Sequence, residues 1–346
     1  MTEEFKEGGP PLDLSEVMIN KSQAPDVMPF TGLSPEVVLD AANSVGLEVD
    51  GRLFALNSYE NRVYQLGSPQ GSLVLKFYRP ARWTDQQIGE EHQFTAEMAA
   101  AELPVAAPVN IDGRTLFTYQ GFRFAAFPWM RGRAPELDAT DAREILGRAL
   151  ARVHQIGARK TFLTRPTIGL QRLGIDACHQ VLASSLLPDV LRDRYIEVSE
   201  LLLERIERAF EVVGPLGQIR IHGDCHLGNL LWNEQGPAFV DLDDCATGPR
   251  VQDLWMLLAG SGADRRRQWS QLLEGYHQFA ELDFREIQLI EPLRALRMLH
   301  HAAWVSHRWQ DPAFPRAFPW FGEHRYWEGY MGDLREQLQA LDEPPL

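Results

Sequence analysis

Two short stretches of this chain hold residues whose types and spacing could do chemistry. His222-Gly223-Asp224-Cys225-His226-Leu227-Gly228-Asn229 sets an Asp and an Asn five positions apart, and Asp241-Leu242-Asp243-Asp244 opens 17 residues after Asp224. An Asp that takes a proton from an acceptor hydroxyl, an Asn that holds a divalent cation and a further carboxylate on that cation are the parts phosphoryl transfer requires. Leu230-Leu231-Trp232 is apolar, Asn233 to Gly236 reads as a turn, and Ala238-Phe239-Val240 is apolar again, the pattern of a hairpin. Such a hairpin would bring Asp224, Asn229 and Asp241 together. A lone Asp-x-Asp or His-Gly-Asp is usually a solvated turn. The two joined by a hairpin are far harder to obtain by accident.

The same residues admit a rival chemistry. His222, Asp224, His226, Asp241, Asp243 and Asp244 are ligand types that suit Zn²⁺, Mn²⁺ or Fe²⁺ in a metallohydrolase. That reading needs further His or Asp ligands and has no use for a Lys–Glu pair upstream, whereas a kinase needs one.

Upstream elements supply candidates for the pair. Ser72 to Tyr78 is a strand-like apolar run with Lys76 inside it, and a charge buried there is costly unless paired. Thr84-Asp85 opens a helical stretch, Gln86 to Glu102, that carries Glu90, Glu91 and Glu97. Taken alone, Lys76 fits the exposed face of an edge strand and the glutamates fit a solvated helix face; their position ahead of Asp224 singles them out. Before the lysine strand, Asn57 to Tyr64 lies between two strand-like runs, where a phosphate-covering loop belongs. It has no Gly-rich pattern, but Ser58 and Asn61 sit where a hydroxyl and backbone N–H groups could meet phosphate.

Together these stretches resemble the aminoglycoside phosphotransferase / choline kinase superfamily of protein-kinase-like enzymes, and within it the bacterial stress response kinase A group of Ser/Thr protein kinases. The likeness is carried by Asn57 to Tyr64, Leu75-Lys76-Phe77-Tyr78-Arg79-Pro80 with Arg82-Trp83, Glu90-Glu91-His92 with Phe94, Ile221 to Asn229, and Asp241 to Asp244. It covers nearly the whole chain from about residue 31. The Ser-Tyr-Glu-Asn and Arg-Pro-x-Arg-Trp stretches point to the narrower group. The resemblance implies an α+β, two-lobed protein-kinase-like fold, with a small antiparallel-sheet N-lobe at 31–127 and a larger, mostly helical C-lobe at 128–346. It implies Asp224 as proton acceptor, Asn229 and Asp241 as Mg²⁺ ligands with Asp243 as a further candidate, and Ser58 at the ATP phosphates. Lys76 and Glu91 become the nucleotide pair, Glu91 being preferred because it stands 12 residues before Leu103-Pro104-Val105, as in the family. Pro128, Trp129 and Met130 fall in the linker whose backbone receives adenine. Asp241-Leu242-Asp243 departs from the Asp-Phe-Gly of ordinary protein kinases and no Ala-Pro-Glu follows, which argues against an activation-loop switch.

The wider sequence is consistent with this. A chain of 346 residues exceeds one typical core, so two lobes are expected. A net charge of −14 argues against nucleic acid as a partner. Three cysteines without paired spacing suit a reducing cytosol, and no signal-type segment or run of about 18 apolar residues is present, so a cytoplasmic, membrane-free monomer is expected. Residues 1–30 read as a loose tail. A helix is expected over Leu33 to Val45, strands around 52–78 and 115–127, a helix opening on an Asp141/Glu144 capping box, one over Asp189 to Val213 ending at Gly214, and helices at 251–260, 264–282 and 284–309. His154 is expected to pack, Asp253 to start a helix and steady the catalytic loop, and the aromatic stretch Trp304 to Tyr330 to fill core and surface.

The expected reaction is transfer of the ATP γ-phosphoryl, with Mg²⁺, to Ser or Thr on a protein. A small alcohol such as an aminoglycoside, choline or homoserine is the alternative acceptor, favoured by any acidic cleft around Asp243 and Asp244. A catalytically dead nucleotide-binding module conflicts with the intact Lys76, Asp224, Asn229 and Asp241.

Overall fold

The structure is a computed structural model that describes Leu14, residues 28–138 and residues 141–346. Most of the 1–30 stretch therefore lies outside the described residues. The elements run α1 (Pro35–Ser44), β1 (Leu53–Ala55), β2 (Arg62–Ser68), β3 (Gly71–Phe77), α2 (Asp85–Ala100), β4 (Phe117–Tyr119), β5 (Phe122–Pro128), α3 (Ala142–Gly157), α4 (Asp176–Ala183), α5 (Arg192–Val213), β6 (Ile219–Ile221), β7 (Leu230–Asn233), β8 (Gly236–Phe239), β9 (Ala246–Gly248), α6 (Val251–Trp255), α7 (Gly262–Tyr276), α8 (Ile290–Arg308), α9 (Ala313–Ala317) and α10 (His324–Ala340). They fall into two compact units. One comprises Pro25–Ile168 and Pro215–Ile287; the other holds Gly169–Gly214 and Gln288–Pro345. The catalytic stretch thus groups with the small sheet rather than with the helices from 288 onward.

In the first unit, β1 to β5 form an antiparallel sheet in the order β1-β2-β3-β5-β4, with Lys76 opposite Val63 and Ala125. One face packs on α1, where Val38, Ala41 and Ala42 meet Leu66, Leu75, Phe77 and Phe124. Ser34 caps α1 ahead of Pro35, as its sequence demands. Thr84 and Gln87 form a capping box that fixes the start of α2. The buried stripe of α2, Ile88, Glu91, His92, Phe94, Thr95 and Met98, is apolar apart from the groups that have work facing inward. The helices α3 and α7 cross at two glycines. A Cβ on Gly147 would lie 2.0 Å from the Leu272 carbonyl oxygen, and one on Gly275 would lie 1.9 Å from that of Glu144.

The second unit is helical. Here α4 and α5 pack on α8, and α10 on α5 and α8. Leu14 is buried in it and its N–H donates to Glu200 Oε1 at 3.0 Å. Trp304, Phe314, Phe321 and Trp327 interlock there, with ring centroids 4.9 Å apart for Trp304–Phe314 and 5.1 Å for Phe321–Trp327. The aromatic run from Trp304 is therefore packing.

Element boundaries differ from expectation for local reasons. Asp141 makes no side-chain cap, and Glu144 turns instead to Arg148 and Gln278. The helix expected at 264–282 starts two residues earlier because Ser261 and Asp264 form the capping box. That expected at 251–260 stops at Trp255, because the Gln268 amide takes both the N–H and the C=O of Ala259, at 2.9 and 3.0 Å. The 284–309 segment begins as a 3₁₀ turn, Phe284–Leu289, before α8.

Candidate active site

The catalytic loop leaves β6 at Ile221 and is held from behind by Asp253, which is fully buried at the start of α6. Asp253 Oδ2 accepts the N–H of His222 and Oδ1 that of Gly223, each at 2.8 Å. His154 Nε2 lies 3.2 Å from the same Oδ2, and its Nδ1 lies 2.8 Å from Tyr276 Oη. His154 thus packs, as expected, and Asp253 steadies the loop. The loop turns at Gly223, φ +83°, where a Cβ would stand 2.3 Å from the Asp244 carbonyl oxygen. Only glycine meets both demands.

The hairpin pairs Leu230 with Phe239 and Leu231 with Ala238, and the Val240 N–H donates to the Asn229 carbonyl at 3.1 Å. The convergence of Asp224, Asn229 and Asp241 follows from that register. Asn229 Nδ2 donates to the Asp224 backbone carbonyl at 2.9 Å and reaches Asp224 Oδ2 at 3.4 Å, so the amide oxygen is the atom of this side chain that could meet a cation. Asp241 adopts a left-handed backbone conformation, φ 54° and ψ 64°, sparsely populated for a residue with a Cβ. Its side chain is 54% exposed.

Lys76 points from β3 into this group. Its Nζ is 2.9 Å from Asp243 Oδ1, 3.2 Å from Asp241 Oδ1 and 3.5 Å from Glu91 Oε1. Burial would discharge the ammonium, but Asp243, Glu91 and Asp241 outweigh it and hold the lysine well above its ordinary pKa. Glu91 is the most distant of these carboxylates, and burial pushes it up to about 7 against the pull of Lys76. Glu90 is committed elsewhere. Its carboxylate accepts the backbone N–H groups of Leu163, Thr164 and Arg165 and the Thr164 hydroxyl. Glu91 is therefore the glutamate that faces the lysine.

A cavity of about 350 Å³ opens beside these groups, lined among others by Ser58, Lys76, Glu91, Pro128, Trp129, Met130, Asn229 and Asp241. Val63, Val74, Ala106, Phe127, Leu231 and Leu242 give it an apolar interior suited to a flat ring. Pro128 has no N–H, so the backbone donors this stretch can offer a base are those of Trp129 and Met130. The linker is pinned to β7 by reciprocal bonds between Arg133 and Trp232, at 3.0 and 2.7 Å. A second hollow of about 390 Å³, lined by residues that include Glu90, Lys160 and Arg220, lies apart from this chemistry. Its charges are already satisfied: Lys160 and Arg220 both pair with Glu97, at 2.6 and 2.7 Å.

Two expected site residues are placed differently from the rest. Both ends of the Asn61 amide are engaged by protein, Nδ2 donating to Asp243 Oδ2 at 3.1 Å and Oδ1 accepting the Arg79 N–H at 3.1 Å. Asp243 is 2% exposed and bound by Lys76, Arg82 and Asn61. Despite its burial, those cations hold its carboxyl well below the usual range. Sequence reasoning gave no role to Arg82, Glu60 or Arg165. Arg165 donates to the carbonyls of Cys245 and Asp243 and stacks 4.2 Å from the Trp83 ring. The available signal was the density of charge in Arg79-Pro80-Ala81-Arg82 directly after an apolar strand.

The donor set fits a hard divalent cation: the Asp241 carboxylate and the Asn229 amide oxygen are the oxygen ligands such ions take. The metallohydrolase set does not assemble. The His222 ring is buried and its Nε2 is spent on the Val240 carbonyl at 3.1 Å, and no cluster of three or more His, Cys, Asp or Glu able to hold a metal occurs among the described residues. No helix among them is long and apolar enough to cross a membrane.

The model of the phosphotransferase enzyme family matches residues 53–290. Stress response kinase A of Escherichia coli strain K12 is 46% identical over 92% of this chain and 96% of its own length. The serine/threonine protein kinase RdoA of Salmonella typhimurium strain LT2 is 44% identical over the same shares. Among solved structures, the amicoumacin kinase hAmiN, in complex with AMP-PNP, Ca²⁺ and Ami, is similar in fold, with a TM-score of 0.69 at 19% identity over 90% of this chain and 94% of that one. The chain belongs to the phosphotransferase enzyme family, within its stress response kinase A group, and is an ATP-dependent phosphotransferase.

Proposed function

We propose that the chain is a Ser/Thr protein kinase that uses ATP and Mg²⁺, with Asp224 as the base that receives the acceptor proton. The observation that carries this is that Lys76, Asn229 and Asp241 line one apolar-walled cavity, with Asp224 Oδ2 3.4 Å from the Asn229 amide. In this reading adenine lies against the apolar walls and the Trp129–Met130 backbone, Ser58 meets the phosphates, and Lys76, fixed by Glu91, orients them. Asn229 and Asp241 would hold Mg²⁺, which neutralises phosphate charge when bound. Asp224 orients the hydroxyl and takes its proton as the phosphoryl group passes across, so most of the rate gain is positioning and charge neutralisation.

A protein acceptor is favoured by the names of the relatives, a stress response kinase and a serine/threonine protein kinase. An acidic cleft for a cationic small alcohol is disfavoured by the pairing of Asp243 and Asp244 with Arg82. The test uses labelled ATP and Mg²⁺ with and without a generic protein acceptor, mapping phosphorylated residues by mass spectrometry. Phosphoserine or phosphothreonine should form, and Asp224→Asn should suppress it by on the order of 10²–10⁴-fold. Asp224-dependent ATP consumption driven only by an amino alcohol or aminoglycoside would replace the protein acceptor with a small molecule. Full activity in Asp241→Ala would remove the assignment of the metal site.

A further inference from the structure

Asp243 lies two residues beyond Asp241, yet its surroundings are those of an anchored group rather than an open ligand. A carboxylate that is 2% exposed must be compensated by cations and donors. Lys76 Nζ approaches Oδ1 at 2.9 Å, while Arg82 Nη1 and Asn61 Nδ2, the latter at 3.1 Å, both fall on Oδ2. Arg82 reaches further. Its Nη2 donates to Asp244 Oδ1 at 2.6 Å, and its Nε stands 3.6 Å from Glu60 Oε1, which also pairs with Arg79 Nε at 3.1 Å. Glu60 and Asn61 belong to the loop that carries Ser58, and Ser58 lines the nucleotide cavity. One run of contacts therefore joins the covering loop, the strand lysine and the metal turn, and the two stretches that mark the narrower group meet in it.

We propose that Asp243 is the anchor of a buried charge clamp and not a metal ligand, and that Arg82 is a positioning residue that acts through it to hold the 57–61 loop, Lys76 and the 241–244 turn in one arrangement. A divalent cation on Asp243 would have to enter beside two positive charges already placed there. This rests on the proposed metal site only in leaving Asn229 and Asp241 as its ligands.

The test compares the full chain with Arg82→Gln, Asp243→Asn, their double variant and Arg82→Lys. The first readout is amide hydrogen exchange over residues 57–64 in EDTA without nucleotide, and the second is the Mg²⁺ concentration that half-saturates ATP turnover. Each of the first two variants should speed exchange of that loop by roughly tenfold or more, as breaking a buried ion pair does. The double variant should be no faster than the faster single one, because both cut the same clamp. Arg82→Lys should recover part of the protection, and any rise in the Mg²⁺ half-saturation should follow the loss of loop protection from variant to variant, because the same clamp holds the turn that carries Asp241. Additive effects on exchange, or none, would overturn the proposal. So would a rise of about tenfold or more in the Mg²⁺ requirement of Asp243→Asn with the loop still protected. If Asp243→Asn fails to fold, Asp244→Asn takes its place, since it removes the other anchor of Arg82 at a group 37% exposed; unchanged loop exchange there is equally fatal. The exchange readout requires no turnover, so it stands apart from Asp241→Ala, which tests the metal site itself.

Discussion

Lys76 stands among carboxylates at graded distances, with Asp243 and Asp241 nearer to it than Glu91. At Glu91 burial outweighs the pull of the lysine and raises the pKa to about 7 from 4.5. A group whose folded pKa is raised contributes stability that is full below its unfolded value and is lost as pH rises through the folded one. In metal- and nucleotide-free protein, wild type should therefore lose up to about 3 kcal/mol relative to Glu91→Gln between pH 4.5 and 7.5. Urea unfolding across that range checks it, and parallel pH curves for the two proteins would refute it. At this scale the sequence was most legible where spacing alone constrains geometry. The Asp224 to Asn229 interval and the hairpin before Asp241 left little freedom. The charge density around Arg82 was visible but its partners were not, because Asp243 and Asp244 lie 161 and 162 positions away.

Elements position these residues through a few contacts that permit little substitution. Asp253, at the start of α6, holds two backbone N–H groups of the catalytic loop from a fully buried place. Asp253→Ala should cost at least about 3 kcal/mol in urea unfolding, the penalty of leaving those donors unpaired, and should lower turnover with it. Stability within error of wild type would show that the loop holds itself. The α3–α7 crossing sets a second constraint. Gly147→Ala drives a Cβ into the Leu272 carbonyl, so the helices must part. An overpacking cost of roughly 1–3 kcal/mol is expected, and since His154 on α3 bonds Tyr276 on α7, catalytic-loop support should weaken as well. An alanine variant as stable as wild type would contradict the close crossing. Helix starts opened by a cap residue in sequence, such as Ser34-Pro35 and Thr84-Asp85, were readable, though the part of Gln87 in the second cap came only from the structure. Asp141 with Glu144 looked the same and was not a cap, because Glu144 found Arg148 and Gln278 within reach once the chain had folded.

For the molecule as a whole, every residue of the proposed nucleotide and metal site lies in one of the two units, assembled from Pro25–Ile168 and Pro215–Ile287. Ligand binding should therefore stabilise that unit by mass action, by about 2.7 kcal/mol at 100-fold excess over Kd. Differential scanning fluorimetry should show a larger rise in melting temperature with ATP and Mg²⁺ than with ATP and EDTA, and Asp241→Ala should erase the difference between them. A difference that survives in Asp241→Ala would place the cation elsewhere. The two-unit grouping was the least legible feature, since it depends on contacts between segments separated by the whole of 169–214. The burial of Lys76 against Asp243 also bears on how the protein is made. The lysine is translated 167 residues before Asp243 (243 − 76), and at 5–20 residues per second that is a wait of roughly 8 to 33 s. Over that interval Glu91 is, among the described residues that pair with Lys76, the carboxylate at hand to offset a cation in the centre of the nascent sheet, and at 3.5 Å it stands farther off than Asp243 or Asp241. A sheet that needs Asp243 to offset its buried charge would close only after residue 243 has been made, so this one pairing would also time the folding of the strands around Lys76.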